Sequence, residues 1–291
     1  MTAARTVLPA CLALIAVTAA VAAARPGGDG TPIVPVDPSP GRAVVWAVGD
    51  AATPTSGARA VARMIRRARP DRFLYLGDVY DQGTRAEFRD HYDPLYGPLA
   101  EITDPTPGNH EWANRRSGYY PYWRAQKGKR QAPYTSTRVA GWDLVSLNSE
   151  AAHGRGSRQL GWLRRLLGRR PGDCRIAFLH RPRYTAGAYA GAGGDIATLW
   201  NALRGRARAV LSGHDHNMQR LRPVGRLVQY VSGAGGQVRY RLNRKHPRLA
   251  FGNDSRFGAL RIVLELGEAT FEFRDVRGRL LDRSRAICTS P

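Results

Sequence analysis

Six side chains able to ligate a metal stand at matching places in a repeating pattern, and that pattern restricts what the chain can fold into. Asp50, Asp78, Asn109, His180, His214 and His216 each follow the end of a short apolar run. The runs at 43–48, 73–76, 102–107, 142–147, 175–179 and 207–211 read as buried strands. Segments 56–68, 159–167 and 196–203 carry apolar residues at helical spacing, with Pro70 closing the first. Three further runs, 227–231, 260–266 and 269–273, read as meandering strands. Alternating strands and helices followed by strands make an α/β sandwich. In open α/β sheets ligands bind beyond the carboxyl ends of the strands, where these six residues fall.

Each signal is weak alone, since a lone Gly-Asp marks a turn more often than a ligand. Gly213-His-Asp-His216 is stronger, because two imidazoles one residue apart in a loop can reach one cluster. Carboxylate, amide oxygen and imidazole suit first-row metals. Six such groups are too many for one tetrahedral ion and fit two ions sharing a carboxylate. A glycine precedes Asp50, Asp78, Asn109 and His214, which lets the backbone turn and approach closely. His91, His153 and His246 lie in polar or basic stretches and read as surface residues, and Arg181 beside His180 is a candidate phosphate contact.

The formal net charge of +22 favours an anionic substrate, but only three of the 45 cations are lysine. Arginine spread over the whole chain looks like a composition bias rather than a nucleic-acid patch, and no run reaches the length of a basic tail. Arg5, the apolar stretch 7–24 and its Ala22-Ala23-Ala24 exit have the form of a secretory signal peptide over 1–24. A Pro/Gly-rich linker follows at 25–41, then one domain at 42–288. The expected product is exported to the medium or cell envelope, with no stable membrane insertion after cleavage. Two cysteines then remain, Cys174 and Cys288, and an even count in an exported chain argues for a disulfide.

Gly49-Asp50, Gly77-Asp78, Gly108-Asn-His-Glu111, His180 and Gly213-His-Asp-His216 resemble the ordered blocks of the calcineurin-like metallophosphoesterases, closest to the purple-acid-phosphatase-like branch. Ala52 stands where other branches carry a histidine. The resemblance implies a four-layer α/β/β/α sandwich of two mixed β-sheets flanked by helices, two metal ions (Fe, Mn or Zn) and hydrolysis of phosphate esters. It makes Asp78 the bridge, Asp50 and His216 ligands of one ion, and Asn109, His180 and His214 ligands of the other. His110 would serve as general acid and Glu111 would hold His110 or its loop by hydrogen bonds. Purple acid phosphatases add a tyrosinate three residues past the bridge. Here Asp81 holds that place and Tyr80, the candidate ligand, is one residue early. The expectation is therefore a colourless or weakly coloured protein, with Asp81 as an alternative oxygen donor. Met218 and Gln219 depart from the residues that relatives often carry after the histidine block. Two other readings stay open: a phosphodiesterase or nuclease acting on extracellular nucleic acid, and a non-catalytic anion-binding exoprotein.

Overall fold

The computed structural model describes Met1 and residues 41–289; the expected signal peptide and nearly all of the linker lie outside the described residues. The chain opens with β1 (Arg42–Val48), α1 (Ser56–Arg67) and β2 (Arg72–Tyr75). A helical stretch follows, made of α2 (Arg85–Glu87), a π turn (Phe88–Tyr92), α3 (Asp93–Tyr96) and a 3-10 turn (Gly97–Ile102). Next come β3 (Thr103–Pro105), α4 (Asn109–Trp112), α5 (Tyr119–Lys127), β4 (Thr135–Val139) and β5 (Trp142–Ser146). Then α6 (Arg158–Arg169), β6 (Arg175–Phe178), α7 (Ala197–Leu203) and β7 (Ala209–Ser212) continue the alternation. The rest is strands: β8 (Met218–Leu221), β9 (Val228–Ser232), β10 (Leu249–Asn253), β11 (Gly258–Glu265), β12 (Glu268–Asp275) and β13 (Leu280–Ile287).

These strands form two mixed sheets, ordered β13-β12-β11-β1-β2-β3 and β10-β8-β9-β7-β6-β5-β4. The first is parallel from β1 to β3, and the second is parallel through β5, β6, β7 and β9. Because side chains alternate across a strand, each parallel strand feeds two cores. Ala43, Val45 and Ala47 of β1 point between the sheets, against Phe178, Leu211 and Leu260. Trp46 and Val48 point outward, against Val61, Ile65, Tyr92 and Trp123. On the second sheet, Val145, Ala177 and Val210 pack against Leu163, Leu199 and Trp200 of α6 and α7. The result is the four-layer sandwich.

Helix starts follow local chemistry. The Thr55 hydroxyl accepts from the Ala58 amide (3.1 Å) at α1, and Ser157 accepts from Leu160 (3.2 Å) at α6. The stretch 85–102 is helical because Phe88, Tyr92 and Tyr96 recur every four residues and fall on one buried face. Its charged outer face hides that spacing, so His91 is half-buried rather than a surface residue. The strands β4, β8, β10 and β13 lack the long unbroken apolar run that marks β1 or β6 in sequence. β13 (LLDRSRAI) is an edge strand steadied by ion pairs instead, with Arg283 reaching Glu272 on β12 (2.6 Å).

The two ends of the second sheet differ in chemistry. At the amino ends of its strands, the nearly inaccessible Arg175 meets Asp143 (3.0 Å), and Arg208 meets Asp173 (2.8 Å). Beside them a disulfide joins Cys174, just before β6, to Cys288, just after β13, and so ties one sheet to the other. It closes a loop with a sequence separation of 114 residues. Replacing both cysteines with serine is expected to lower unfolding free energy by about 2–5 kcal/mol. Because the crosslink lies at the strand ends opposite the polar cluster, that cluster should stay intact. Denaturant titration checks the first part, and alkylation without reductant should leave both cysteines unmodified.

Candidate metal centre

The carboxyl ends of the central strands are stitched together across the sandwich. Gly49 N donates to Ser232 O (2.9 Å), the Ser232 hydroxyl to Ala47 O (2.9 Å) and the Thr106 hydroxyl to Leu147 O (2.6 Å). Each bond runs from one sheet to the other. Into this junction the loops after β1, β2, β6 and β7 and the start of α4 project their polar side chains.

Among the described residues, five non-glycine residues have left-handed backbones, and three of them are Asp50 (φ 56°), Asp78 (φ 70°) and His214 (φ 67°). The strain of about 1–3 kcal/mol each thus falls on the polar residues themselves. Glycines around the cluster allow close approach, and Gly77 is itself left-handed (φ 93°). A Cβ on Gly108 would collide with Asp78 Oδ1, and one on Gly213 would lie 2.7 Å from Asp50 Oδ2.

All seven expected donors meet around Asp78. Its Oδ2 lies 3.1 Å from the Tyr80 hydroxyl and 3.3 Å from His180 Nε2. On one side the Tyr80 hydroxyl is 3.0 Å from Asp50 Oδ1 and 3.0 Å from His216 Nε2. On the other, His180 Nε2 is 3.0 Å from Asn109 Oδ1 and 3.1 Å from His214 Nδ1. Asp78, His180 and His214 by themselves form a buried group with ligand atoms within 4.8 Å of one another.

The hydrogen bonds on the far side of the rings show what this cluster is built to hold. His180 Nδ1 donates to Leu76 O (2.9 Å) and His216 Nδ1 to Val238 O (2.8 Å). A carbonyl only accepts, so each Nδ1 carries the proton and each neutral Nε2 presents a lone pair. Those lone pairs face carboxylate oxygens, at 3.3 Å from Asp78 and 3.4 Å from Asp50. Buried lone pairs aimed at buried anions demand a cation between them. A proton meets the demand at one atom: burial works to lower His180, but the Asp78 carboxylate outweighs it and drives the ring up to about 10. Burial and the nearby His180 push His214 down to about 2. Metal ions would satisfy the whole set, and the mixture of carboxylate, phenol, amide oxygen and imidazole fits Fe, Mn or Zn.

Tyr80 enters the cluster because its loop is held from three sides. The Tyr80 amide donates to Ala52 O (3.0 Å), His91 Nδ1 donates to Tyr80 O (2.6 Å), and the Tyr75 hydroxyl donates to Asp78 O (2.6 Å). Burial and the carboxylates of Asp50 and Asp78 push its phenol well up. Asp81, the alternative donor, is exposed and contributes only backbone: its carbonyl accepts from His110 Nδ1. Glu111 holds the loop rather than His110, its carboxylate accepting from the amides of Asp78 (3.1 Å) and Val79 (3.2 Å). Burial, then the Asp78 charge, push Glu111 up to about 8.

His110 has its Nε2 3.8 Å from Asp78 Oδ2 and its ring against Tyr80, at the edge of the cluster. Arg181 is already engaged, its Nε donating to both oxygens of Glu150 (2.9 and 3.2 Å). His153 is half-buried and bonds its own loop at Ala151 O (2.7 Å), so it is neither freely exposed nor part of the cluster. Gln219 and Met218 are buried on β8, where Gln219 Oε1 accepts from Ala186 N (2.7 Å). Sequence reasoning overlooked Tyr189 and Tyr240, which stack on His214 and His216. Neither lies in a recognisable motif, and loop packing alone brings them there.

A dimetal-type donor set at the carboxyl edge of a two-sheet sandwich defines a metallophosphoesterase fold. Residues 43–218 match the calcineurin-like phosphoesterase family, and the chain belongs to it. No curated protein matches it in sequence. Among solved structures it is similar to purple acid phosphatase PPD1 from yellow lupin (Lupinus luteus) seeds, at 17% identity and a TM-score of 0.71. That match covers 89% of this chain and 55% of the lupin chain, so this chain spans about half the lupin protein's length. It is equally similar, at 15% identity and TM-score 0.71, to GAP50, the anchor in the inner membrane complex of Plasmodium, over 86% of this chain and 90% of that one. A dimetal phosphatase from Danio rerio follows at 12% identity and TM-score 0.57, over 84% of this chain and 98% of that one. At these identities the likeness is one of fold.

The placement of the Tyr80 hydroxyl removes the ground for a colourless protein. Loaded with ferric iron, the protein is expected to show a visible tyrosinate band that disappears in Tyr80→Phe. A colourless ferric protein with full iron content would contradict coordination by Tyr80.

Proposed function

We propose that the protein is an exported phosphoester hydrolase that works with two metal ions held around Asp78. The observation that carries this reading is the pair of carbonyl-fixed imidazoles, His180 and His216, whose bare Nε2 atoms face Asp78 and Asp50 across a buried cluster. In this reading Asp50, Tyr80 and His216 would hold one ion, Asn109, His180 and His214 the other, and Asp78 would serve both. When bound, such a pair activates water as a nucleophile at neutral pH and offsets the charge of the phosphate. The protein's own share is to place those donors, to keep them dry and to handle a proton. His110 has the geometry for that last task. Its Nδ1–H is committed to the Asp81 carbonyl, so Nε2 is the atom that takes up a proton and donates it to a leaving oxygen.

The substrate class is a phosphate ester, and the net charge of +22 favours an anion. A non-catalytic anion-binding role would leave seven converging donors and three strained backbones without a purpose. Export is supported by the signal-like residues 1–24 and by the Cys174–Cys288 disulfide, which persists in oxidising compartments.

The test is hydrolysis of p-nitrophenyl phosphate, an alkyl phosphate, bis-p-nitrophenyl phosphate and DNA by the full chain, before and after chelation. Activity is expected to vanish with chelator and return with Mn, Zn or Fe; turnover by the metal-free protein would overturn the proposal. His110→Ala should keep its metals and lose about 10²–10⁴-fold in kcat on the alkyl phosphate, but much less on p-nitrophenyl phosphate. Equal losses on both would exclude proton donation by His110.

A further inference from the structure

The three imidazoles of the cluster are not held alike. His180 and His216 each donate Nδ1–H to a backbone carbonyl and present Nε2 inward. His214 enters the other way round, by Nδ1, and among the described residues no hydrogen bond fixes its Nε2. What lies on this ring is Tyr189, with centroids 3.9 Å apart and planes 23° from parallel. His216 also has an aromatic cover, Tyr240 at 4.1 Å and 15°, in addition to its bond to Val238 O. The two tyrosines meet edge to face at 6.0 Å.

Tyr189 is itself set by the residue between the two histidines. Asp215 is fully buried, and its carboxylate accepts from the Thr185 hydroxyl, from the Ala188 amide (3.2 Å) and from Asn217 Nδ2 (3.1 Å). Gln219 holds the same loop through the Ala186 amide (2.7 Å). One short segment, 214–219, thus supplies two imidazoles and also anchors the loop that covers the first of them.

We propose that Tyr189 is a positioning residue for His214, its flat face doing for that ring what backbone carbonyls do for His180 and His216. The proposal rests on the reading of His214 as a metal ligand. Partners that orient a metal-binding histidine typically change metal affinity or activity by about 10–100-fold when removed. For His214 that partner is a ring face. For His216 the carbonyl and the ring share the task, so losing Tyr240 should matter less.

The experiment is equilibrium dialysis of the full chain against Mn²⁺, for wild type, Tyr189→Phe, Tyr189→Ala, Tyr189→Leu and Tyr240→Ala, with circular dichroism as the check on folding. Wild type is expected to bind two ions. Tyr189→Ala and Tyr189→Leu should weaken one of the two sites by about tenfold or more, Tyr189→Phe should bind as wild type, and Tyr240→Ala should lose less. Unchanged Mn²⁺ binding in Tyr189→Ala and Tyr189→Leu would overturn the proposal, as would a loss in Tyr189→Phe equal to that in Tyr189→Ala. A wild-type protein that takes up none of Mn²⁺, Zn²⁺ or Fe²⁺ in the same dialysis would remove the metal-centre reading itself, and this inference with it.

Discussion

Two imidazole lone pairs pointing at two buried carboxylates form the contact on which the rest of this structure depends. Left to themselves, such groups repel one another and pay a desolvation cost. The fold keeps them together by denying them alternatives. Leu76 O and Val238 O fix the Nδ1–H of two rings and so aim Nε2 inward, and His214 N donates to Asp50 Oδ2 (2.9 Å). Asp50 and Asp78 are held in left-handed turns that the surrounding strands over-determine.

That restraint comes from the sandwich. Parallel strands in both sheets end at the same level, so loops from separate parts of the chain arrive at one place. Hydrogen bonds from Gly49, Thr106 and Ser232 then lock the ends of one sheet to those of the other. At the far end the disulfide does the equivalent task, and the buried pairs of Arg175 and Arg208 join neighbouring strands of the second sheet beside it. The crosslink lies away from the cluster, and three of the five left-handed non-glycine backbones among the described residues fall within it.

Much of this was legible in sequence, for identifiable reasons. β1, β2, β6 and β7 are covered on both faces and so read as continuous apolar runs, and α1 and α6 show their apolar spacing plainly. The donors were visible because each follows such a run. The stretch around His91 read only as polar and helical, because the buried aromatic face of 85–102 is masked by charged residues on the outer one. β13 was not legible, since its arginines pair across strands rather than pack. Within the cluster, counting residues left Tyr80 open: its distance along the chain from Asp78 differs from the usual spacing, and its hydroxyl arrives among the same donors. The stacks of Tyr189 and Tyr240 depend on contacts between loops distant in sequence, which no local pattern encodes.

The central claim is that the space between these side chains is shaped for two cations. Anomalous diffraction from crystals grown with Mn²⁺ addresses it most directly. The account predicts two peaks about 3.5–4 Å apart, one on each side of the Asp78 carboxylate. One peak should lie among Asp50, Tyr80 and His216, and the other among Asn109, His180 and His214. A single peak, or none at this position with the side chains arranged as described, would contradict it.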